Sequence, residues 1–275
     1  MFTTRSAPLI SPEQLAETLG RPDRLVLDIR PGAAFEAGHV PGAVHSDYAA
    51  DGWRVARGGA GGLLPDADAV AALFGRLGLR PEHHVAVVSA GTGANDFNAA
   101  ARVYWTLKVA GHARASLLDG GHAAWTRDAA RPVETGPART LAATTYPVRL
   151  DKRLRAELAD VEGAVASGSA TLVDARSEAA FEGREKSPQA RVGGRLPGAV
   201  LADASEAYDA AANRLRPREE LERIFAAVPK GEAISYCNTG HSAAGDWFVL
   251  SEVLGRPDVK LYDGSMSEWT QDPER

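Results

Sequence analysis

The chain repeats itself. Leu25-Val26-Leu27-Asp28-Ile29-Arg30 is echoed by Thr171-Leu172-Val173-Asp174-Ala175-Arg176. Gly38-His39-Val40-Pro41-Gly42-Ala43-Val44 returns as Gly194-Arg195-Leu196-Pro197-Gly198-Ala199-Val200. Leu118-Asp119-Gly120-Gly121-His122-Ala123-Ala124-Trp125 returns as Tyr262-Asp263-Gly264-Ser265-Met266-Ser267-Glu268-Trp269. The echoes keep one order at an offset of about 150 residues, and chance similarity does not do that three times over. A chain of 275 residues built this way is a tandem duplication of a domain of ordinary size. Whatever one half folds into, the other must fold into as well.

In each half, short apolar runs alternate with longer helical patterns. Leu25–Leu27, Val85–Val88 and Ser116–Leu118 are the expected strands of the first half, and Thr171–Val173, Ala233–Tyr236 and Lys260–Tyr262 those of the second. They are apolar on both faces, as in a parallel sheet covered by helices on each side. Ala100, Val103, Tyr104 and Leu107 form a helical stripe ending before Gly111, and Ser11 followed by Pro12 is a helix start. Trp105, Trp125, Trp247 and Trp269 are expected in the core. Residues 131–148, rich in Pro and small residues, read as an extended linker. The expected organisation is therefore a first domain over 1–130, a linker over 131–148 and a second domain over 149–275. The run Gly58-Gly59-Ala60-Gly61-Gly62 has no Lys-Ser/Thr after it and reads as a flexible surface loop, not a phosphate cradle.

Composition narrows the function classes. At 44% hydrophobic and 24% charged residues, the chain suits two globular cores. A net charge of −5 lacks the basic footprint of a nucleic-acid binder. Residues 1–8 lack the apolar stretch of a secretory signal, and no run reaches the ~18 apolar residues of a membrane helix. A single cysteine makes no internal disulfide, so the expected location is cytoplasmic, with neither membrane nor nucleic acid as a partner.

That cysteine, Cys237, follows the expected strand Ala233–Tyr236 and opens the loop Cys237-Asn238-Thr239-Gly240-His241-Ser242-Ala243. A helical segment with Trp247, Leu250 and Leu254 on one face follows, and Gly255 can stop it. A lone cysteine is most often a small buried hydrophobe. This context differs, because a tight loop at a helix start aims backbone N–H groups and the positive helix end at the sulfur, favouring the nucleophilic thiolate. The corresponding loop of the first half, Ser89 to Phe97, has no cysteine and cannot carry a group on sulfur. A cysteine phosphatase would need arginine at the sixth position after the thiol, where this chain has Ala243. Seven scattered histidines give no metal-ligand spacing beside Cys237.

Together, the strand-Asp-x-Arg element, the Pro-Gly-Ala turn, the Cys-x-x-Gly-x-x-Ala loop and the Asp-Gly-(Gly/Ser)-x-x-x-Trp ending resemble the rhodanese sulfurtransferases, in particular the two-domain thiosulfate and 3-mercaptopyruvate sulfurtransferases. The resemblance covers nearly the whole chain. It implies an α/β fold of two tandem rhodanese-like domains, each a mostly parallel sheet flanked by helices, with the thiol-free first domain as a structural partner. It implies an enzyme that moves sulfane sulfur from a small anionic donor, through a Cys237 persulfide, to a thiophilic acceptor such as cyanide or a thiol. No metal or organic cofactor is required.

The resemblance also proposes a substrate site. Arg176 stands at the family's substrate arginine, with a structural ion pair to Asp174 or Glu178 as its other reading. Of Arg184, Lys186, Arg191 and Arg195, all in the loop between Phe181 and Pro197, Arg191 is the one expected to reach the donor. Backbone N–H groups from Asn238 to Ala243, spanning Thr239, Gly240, His241 and Ser242, are expected to cup the persulfide. His241 either aids proton transfer or caps the helix start. His39 is expected to bond a backbone carbonyl. The loop departs from both family patterns, Cys-Arg-Lys-Gly of the thiosulfate type and Cys-Gly-Ser-Gly of the mercaptopyruvate type. Thr239 matches the hydroxyl position of the latter, whereas Arg195, standing where many relatives have His, adds charge that suits a dianion. The expectation is thiosulfate, with 3-mercaptopyruvate as the alternative donor and a non-catalytic persulfide carrier or binding module as the alternative class.

Overall fold

The computed structural model describes residues 7–275; residues 1–6, read above for a leader, lie outside the described residues. Two compact units result, and their membership crosses the halves of the sequence. Unit 1 comprises the described residues through Trp53, with Pro65–Leu150 and Ala210–Arg214; unit 2 comprises Arg54–Leu64, Asp151–Asp209 and Leu215–Arg275.

In unit 1, strands β1 (Leu9–Ile10), β2 (Arg24–Asp28) and β3 (Val44–His45) precede the hairpin β4 (Val55–Arg57) and β5 (Ala60–Leu63), which belongs to unit 2; β6 (His84–Val88) and β7 (Ala115–Leu118) complete its sheet. That sheet is parallel in the order β1-β7-β6-β2-β3. Its helices are α1 (Pro12–Ala16), α2 (Gly32–Ala37), α3 (Ala67–Arg76), α4 (Ala94–Val109) and α5 (Gly121–Thr126). Ser11 caps α1 in a reciprocal box with Gln14, each side chain bonding the other's backbone N–H. Val85 to Val88 are fully buried between helical layers, as a parallel strand requires. Residues 131–148 contain no helix and are tied down by Thr144 Oγ1, which donates to Leu79 O at 2.6 Å, and by a 2.7 Å bond between Tyr146 Oη and His112 Nδ1.

Unit 2 repeats the plan with β8 (Arg155–Ala156), β9 (Thr171–Asp174), β10 (Val200–Leu201), the short pair β11 (Tyr208–Asp209) and β12 (Arg214–Leu215), whose Arg214 and tip fall in unit 1, then β13 (Ala233–Tyr236) and β14 (Val259–Tyr262). Its sheet runs β8-β14-β13-β9-β10, strand for strand the order of unit 1. The helices are α6 (Leu158–Ser167), α7 (Glu178–Phe181), α8 (Arg218–Ile224), α9 (Ser242–Trp247) and α10 (Ser265–Trp269). After Trp247 the chain widens into a π-helix, Phe248–Val253, and stops at Gly255 with φ +76°. This wide turn shifts the expected spacing of Trp247, Leu250 and Leu254. Tyr236, Tyr262, Met266, Leu172 and Trp269 form one core under the sheet. Among the described residues no helix is long and apolar enough to cross a membrane.

The glycine run is not a free loop. It is the turn and second strand of the β4–β5 hairpin, packed against α10 in unit 2. Gly62 approaches the cysteine loop so closely that a Cβ there would stand 2.2 Å from Thr239 O.

Candidate active site

β13 lies between β9 and β14, and its carboxyl end delivers Cys237 to the loop. Ligand and reaction sites of parallel α/β sheets form at this end of the strands. Cys237 is 3% exposed and unbridged. The loop is sewn to the start of α10 by two backbone bonds, Met266 N–H to Cys237 O at 3.0 Å and Ser267 N–H to Asn238 O at 2.9 Å. Unit 1 makes the same stitches, His122 N–H to Ser89 O at 2.8 Å and Ala123 N–H to Ala90 O at 3.0 Å. Ser89 thus occupies the place of the thiol in the first half.

One contact belongs to unit 2 alone. Ser265 Oγ accepts the N–H groups of Cys237 and Gly240, each at 3.0 Å, and donates to Tyr262 O at 2.8 Å. Ser265 is fully buried at φ +51°, a left-handed conformation costly for a residue with a Cβ. Its counterpart Gly121 has φ +57° and no hydroxyl. Aligning the two echoes shows serine where the backbone calls for glycine, which is the signal in the sequence that could have found it.

Arg176 is buried and forks onto Asp174, Nε to Oδ1 at 2.8 Å and Nη2 to Oδ2 at 2.6 Å, while Nη2 also donates to Gly194 O at 2.7 Å. Burial alone would draw its pKa down, but the bond and charge of Asp174 outweigh that and hold it above the usual arginine range. The ion-pair reading is thus the contact observed, with Asp174 as partner; Glu178 pairs with Arg184 instead. Nη1 takes no part in the fork. Tyr236 Oη donates to Asp174 Oδ2 at 2.7 Å and accepts the Leu196 N–H at 3.1 Å. Burial, then the Asp174 carboxylate, pushes the Tyr236 pKa well up, so it stays a neutral phenol.

The other cations of the 181–197 loop are dispersed. Arg184 binds Glu182, Lys186 Nζ donates to Ala190 O, and Arg195 lies over the Phe181 ring at 4.4 Å. Arg191 is exposed, anchored by its backbone N–H on Thr270 Oγ1 at 2.9 Å. Asn238, Thr239, His241 and Ser242 are half-buried around the loop, and the Asn238 Oδ1 atom is buried without a partner. His241 precedes α9, but its side chain makes no capping bond. His39 bonds Phe35 O through Nδ1 at 3.0 Å and stacks on the Phe35 ring, the structural role expected of it.

A further group escaped the sequence reading. Asp246 in α9 is fully buried and both its carboxylate oxygens lack a hydrogen-bond partner. Burial, then the charges of Asp203 and Asp174, raise its pKa well above the usual carboxylate range and favour the protonated form. Its only signal in the sequence is a lone charge inside the apolar run Ala243 to Leu250.

The profile of the rhodanese-like domain matches the chain twice, over residues 11–128 and 157–272. The thiosulfate sulfurtransferase of Corynebacterium glutamicum is 34% identical over 276 residues, covering 95% of this chain and 87% of the relative. A Pseudomonas aeruginosa protein named "Probable 3-mercaptopyruvate sulfurtransferase" is also 34% identical, over 285 residues, covering 98% of this chain and 97% of the relative. The fold is shared with Tum1 of Saccharomyces cerevisiae (TM-score 0.81, 20% identity, 97% of this chain and 96% of that one). It is shared too with SseA of Escherichia coli, from a crystallographic description of 3-mercaptopyruvate sulfotransferases (TM-score 0.75, 24% identity, 94% and 99%).

Proposed function

This chain belongs to the rhodanese-like family and is a sulfurtransferase, and from that premise we propose that Cys237 carries sulfane sulfur from thiosulfate to a thiophilic acceptor. The observation that carries the reading is the placement of the sole thiol, at the carboxyl end of β13 in a loop pinned by Ser265. In the first step the Cys237 thiolate attacks the outer sulfur of thiosulfate. The S–S bond of the donor breaks, its electron pair leaves with sulfite, and Cys237 becomes a persulfide anion. In the second step cyanide or a thiolate attacks the terminal sulfur, and the electron pair of that S–S bond returns to Cys237. Charge balances in both steps without a redox partner.

The persulfide needs donors around it. Ser265 engages the N–H groups of Cys237 and Gly240, so we assign this task to Asn238, Thr239, Ser242 and Ala243. Arg176 Nη1 and exposed Arg191 are the groups we assign to the anionic end of the donor, and His241 is available at the rim for proton transfer. Thiosulfate is favoured over 3-mercaptopyruvate because the residue after Cys237 is not the glycine of the mercaptopyruvate pattern and Arg195 adds positive charge. The likeness to the Pseudomonas relative supports the second donor. Treating the protein with thiosulfate should add one sulfur to Cys237 by mass spectrometry, removed by cyanide as thiocyanate. Cys237→Ser should do neither. A persulfide that forms without cyanide turnover would instead make the protein a carrier. If 3-mercaptopyruvate gives kcat/KM about tenfold above thiosulfate, the donor is misassigned and the sulfurtransferase stands.

A further inference from the structure

Unit 1 carries a cleft at the other end of its sheet, away from the 89–93 loop. It is about 500 Å³ in volume and opens where β2 begins and where the chain enters β6. Arg21, Arg24, Arg80, Arg139 and His83 line it, and no carboxylate does. Among the described residues none of these four arginines lies in ion-pair distance of an acid; neighbouring Asp23 pairs with Arg114 at 3.0 Å. Arg21, Arg80 and Arg139 are exposed, whereas Arg24 is half-buried and its Nη1 is buried with no hydrogen-bond partner. A buried donor left without a partner is costly, so this guanidinium calls for an acceptor. Burial, with Arg114 and Arg21 acting in the same direction and Asp23 against, draws the Arg24 pKa below the usual arginine range, a shift that a bound anion reverses. Leu25, Val26, Val44 and Leu141 supply an apolar wall.

We propose that this cleft binds an organic phosphate, a small molecule that joins a multiply charged phosphate or pyrophosphate to an apolar or aromatic body, as a nucleoside diphosphate does. Guanidinium forks match tetrahedral oxyanions, and several unpaired forks without a neighbouring acid suit a ligand of more than one negative charge. The apolar wall, and a volume within the ~300–1,000 Å³ range of organic-ligand pockets, call for a body beyond the bare ion. The site stands apart from sulfur transfer and uses none of its residues.

Isothermal titration of the full chain with ADP, pyrophosphate and adenosine tests this. ADP should bind with Kd below about 0.5 mM at low salt and weaken as salt rises. Pyrophosphate should bind at least about threefold more weakly, and adenosine should give no measurable heat. Arg24→Gln should weaken ADP at least about tenfold. Arg80→Gln with Arg139→Gln, both at exposed positions that leave the fold intact, should do so by several-fold, with thiosulfate–cyanide turnover unchanged. No heat with ADP at about 5 mM, pyrophosphate binding as tightly as ADP, or unchanged ADP affinity in the Arg80/Arg139 variant would each overturn the proposal.

Discussion

Arg176 grips Asp174 in the same fork by which Arg30 grips Asp28. In both, Nε and Nη2 meet the two carboxylate oxygens, and Nη2 also bonds the carbonyl of the glycine opening the Pro-Gly-Ala segment, Gly194 or Gly38, at 2.7 Å. Since Ser89 replaces the thiol in the first half, the fork there has no sulfur nucleophile beside it. The repeat therefore supplies its own control.

Arg176→Ala and Arg30→Ala should each destabilise the protein by about 3–5 kcal/mol, because each strands a buried carboxylate. Only Arg176→Ala should also lower kcat/KM for thiosulfate, by about 2–4 kcal/mol of transition-state stabilisation. Steady-state kinetics at a temperature where both variants are folded makes the comparison. Equal kinetic losses in the two would remove Arg176 from the donor site.

Ser265 holds a strained conformation in order to place its hydroxyl. Ser265→Ala keeps the strain and takes the hydroxyl acceptor away from the buried Cys237 N–H, so it should cost about 1–3 kcal/mol of stability. It should also lower kcat by at least tenfold, about 1.4 kcal/mol. Ser265→Gly should recover part of the stability, as Gly121 does in unit 1, without recovering kcat. Wild-type turnover in the alanine variant would show that the loop holds its shape unaided.

Gly62 meets Thr239 at a distance that admits no side chain, and its φ is +85°. Gly62→Ala should push the hairpin off the cysteine loop and lower both thermal stability and turnover. Gly58, with φ +59° and open space around it, offers the comparison. Gly58→Ala should cost only the ~1–2 kcal/mol of the left-handed conformation and leave turnover alone. Matching kinetics in the two variants would mean the close approach has no bearing on catalysis.

Much of this was legible in sequence, and the rest fails for identifiable reasons. The strands β2, β6, β7, β9, β13 and β14 announce themselves because both faces are largely buried, so their residues run mostly apolar, with Lys260 of β14 as a polar interruption. The edge strands β1, β3, β8 and β10 are two residues each, too short for any period. The Asp-x-Arg elements could be placed from the repeat, and Cys237 from the apolar strand and tight loop that carry it. The hairpin was invisible because its partners, Thr239 and Ser267, stand more than 170 residues away and glycine carries no apolar pattern. Asp246 hides for the opposite reason, since a charged residue in a helix ordinarily signals a solvated face.

Asp246 makes stability depend on pH. Its folded pKa lies above the unfolded value of ~3.9, so the folded chain keeps a proton that the unfolded chain gives up. Stability from this group is fully present below about pH 4 and falls as pH rises, by ~1.4 kcal/mol per unit while the folded carboxyl stays protonated. Asp246→Asn removes that titration. Urea denaturation at several pH values should show the variant gaining on the wild type steadily above about pH 4. A constant difference across that range would mean the acid is ionised in the folded chain.

The exchange of segments also sets a timetable for synthesis. Residues 54–64 leave the ribosome before any other part of unit 2 exists, and residues 210–214 of unit 1 emerge long after the rest of it. The leading unit must therefore wait, nearly finished, for a piece made late in translation. The hairpin carrying Gly62 must wait unpaired for a loop not yet translated. Unit 1 is complete only once residue 214 is out, and the thiol site of unit 2 only once Ser265 has followed the Cys237 loop.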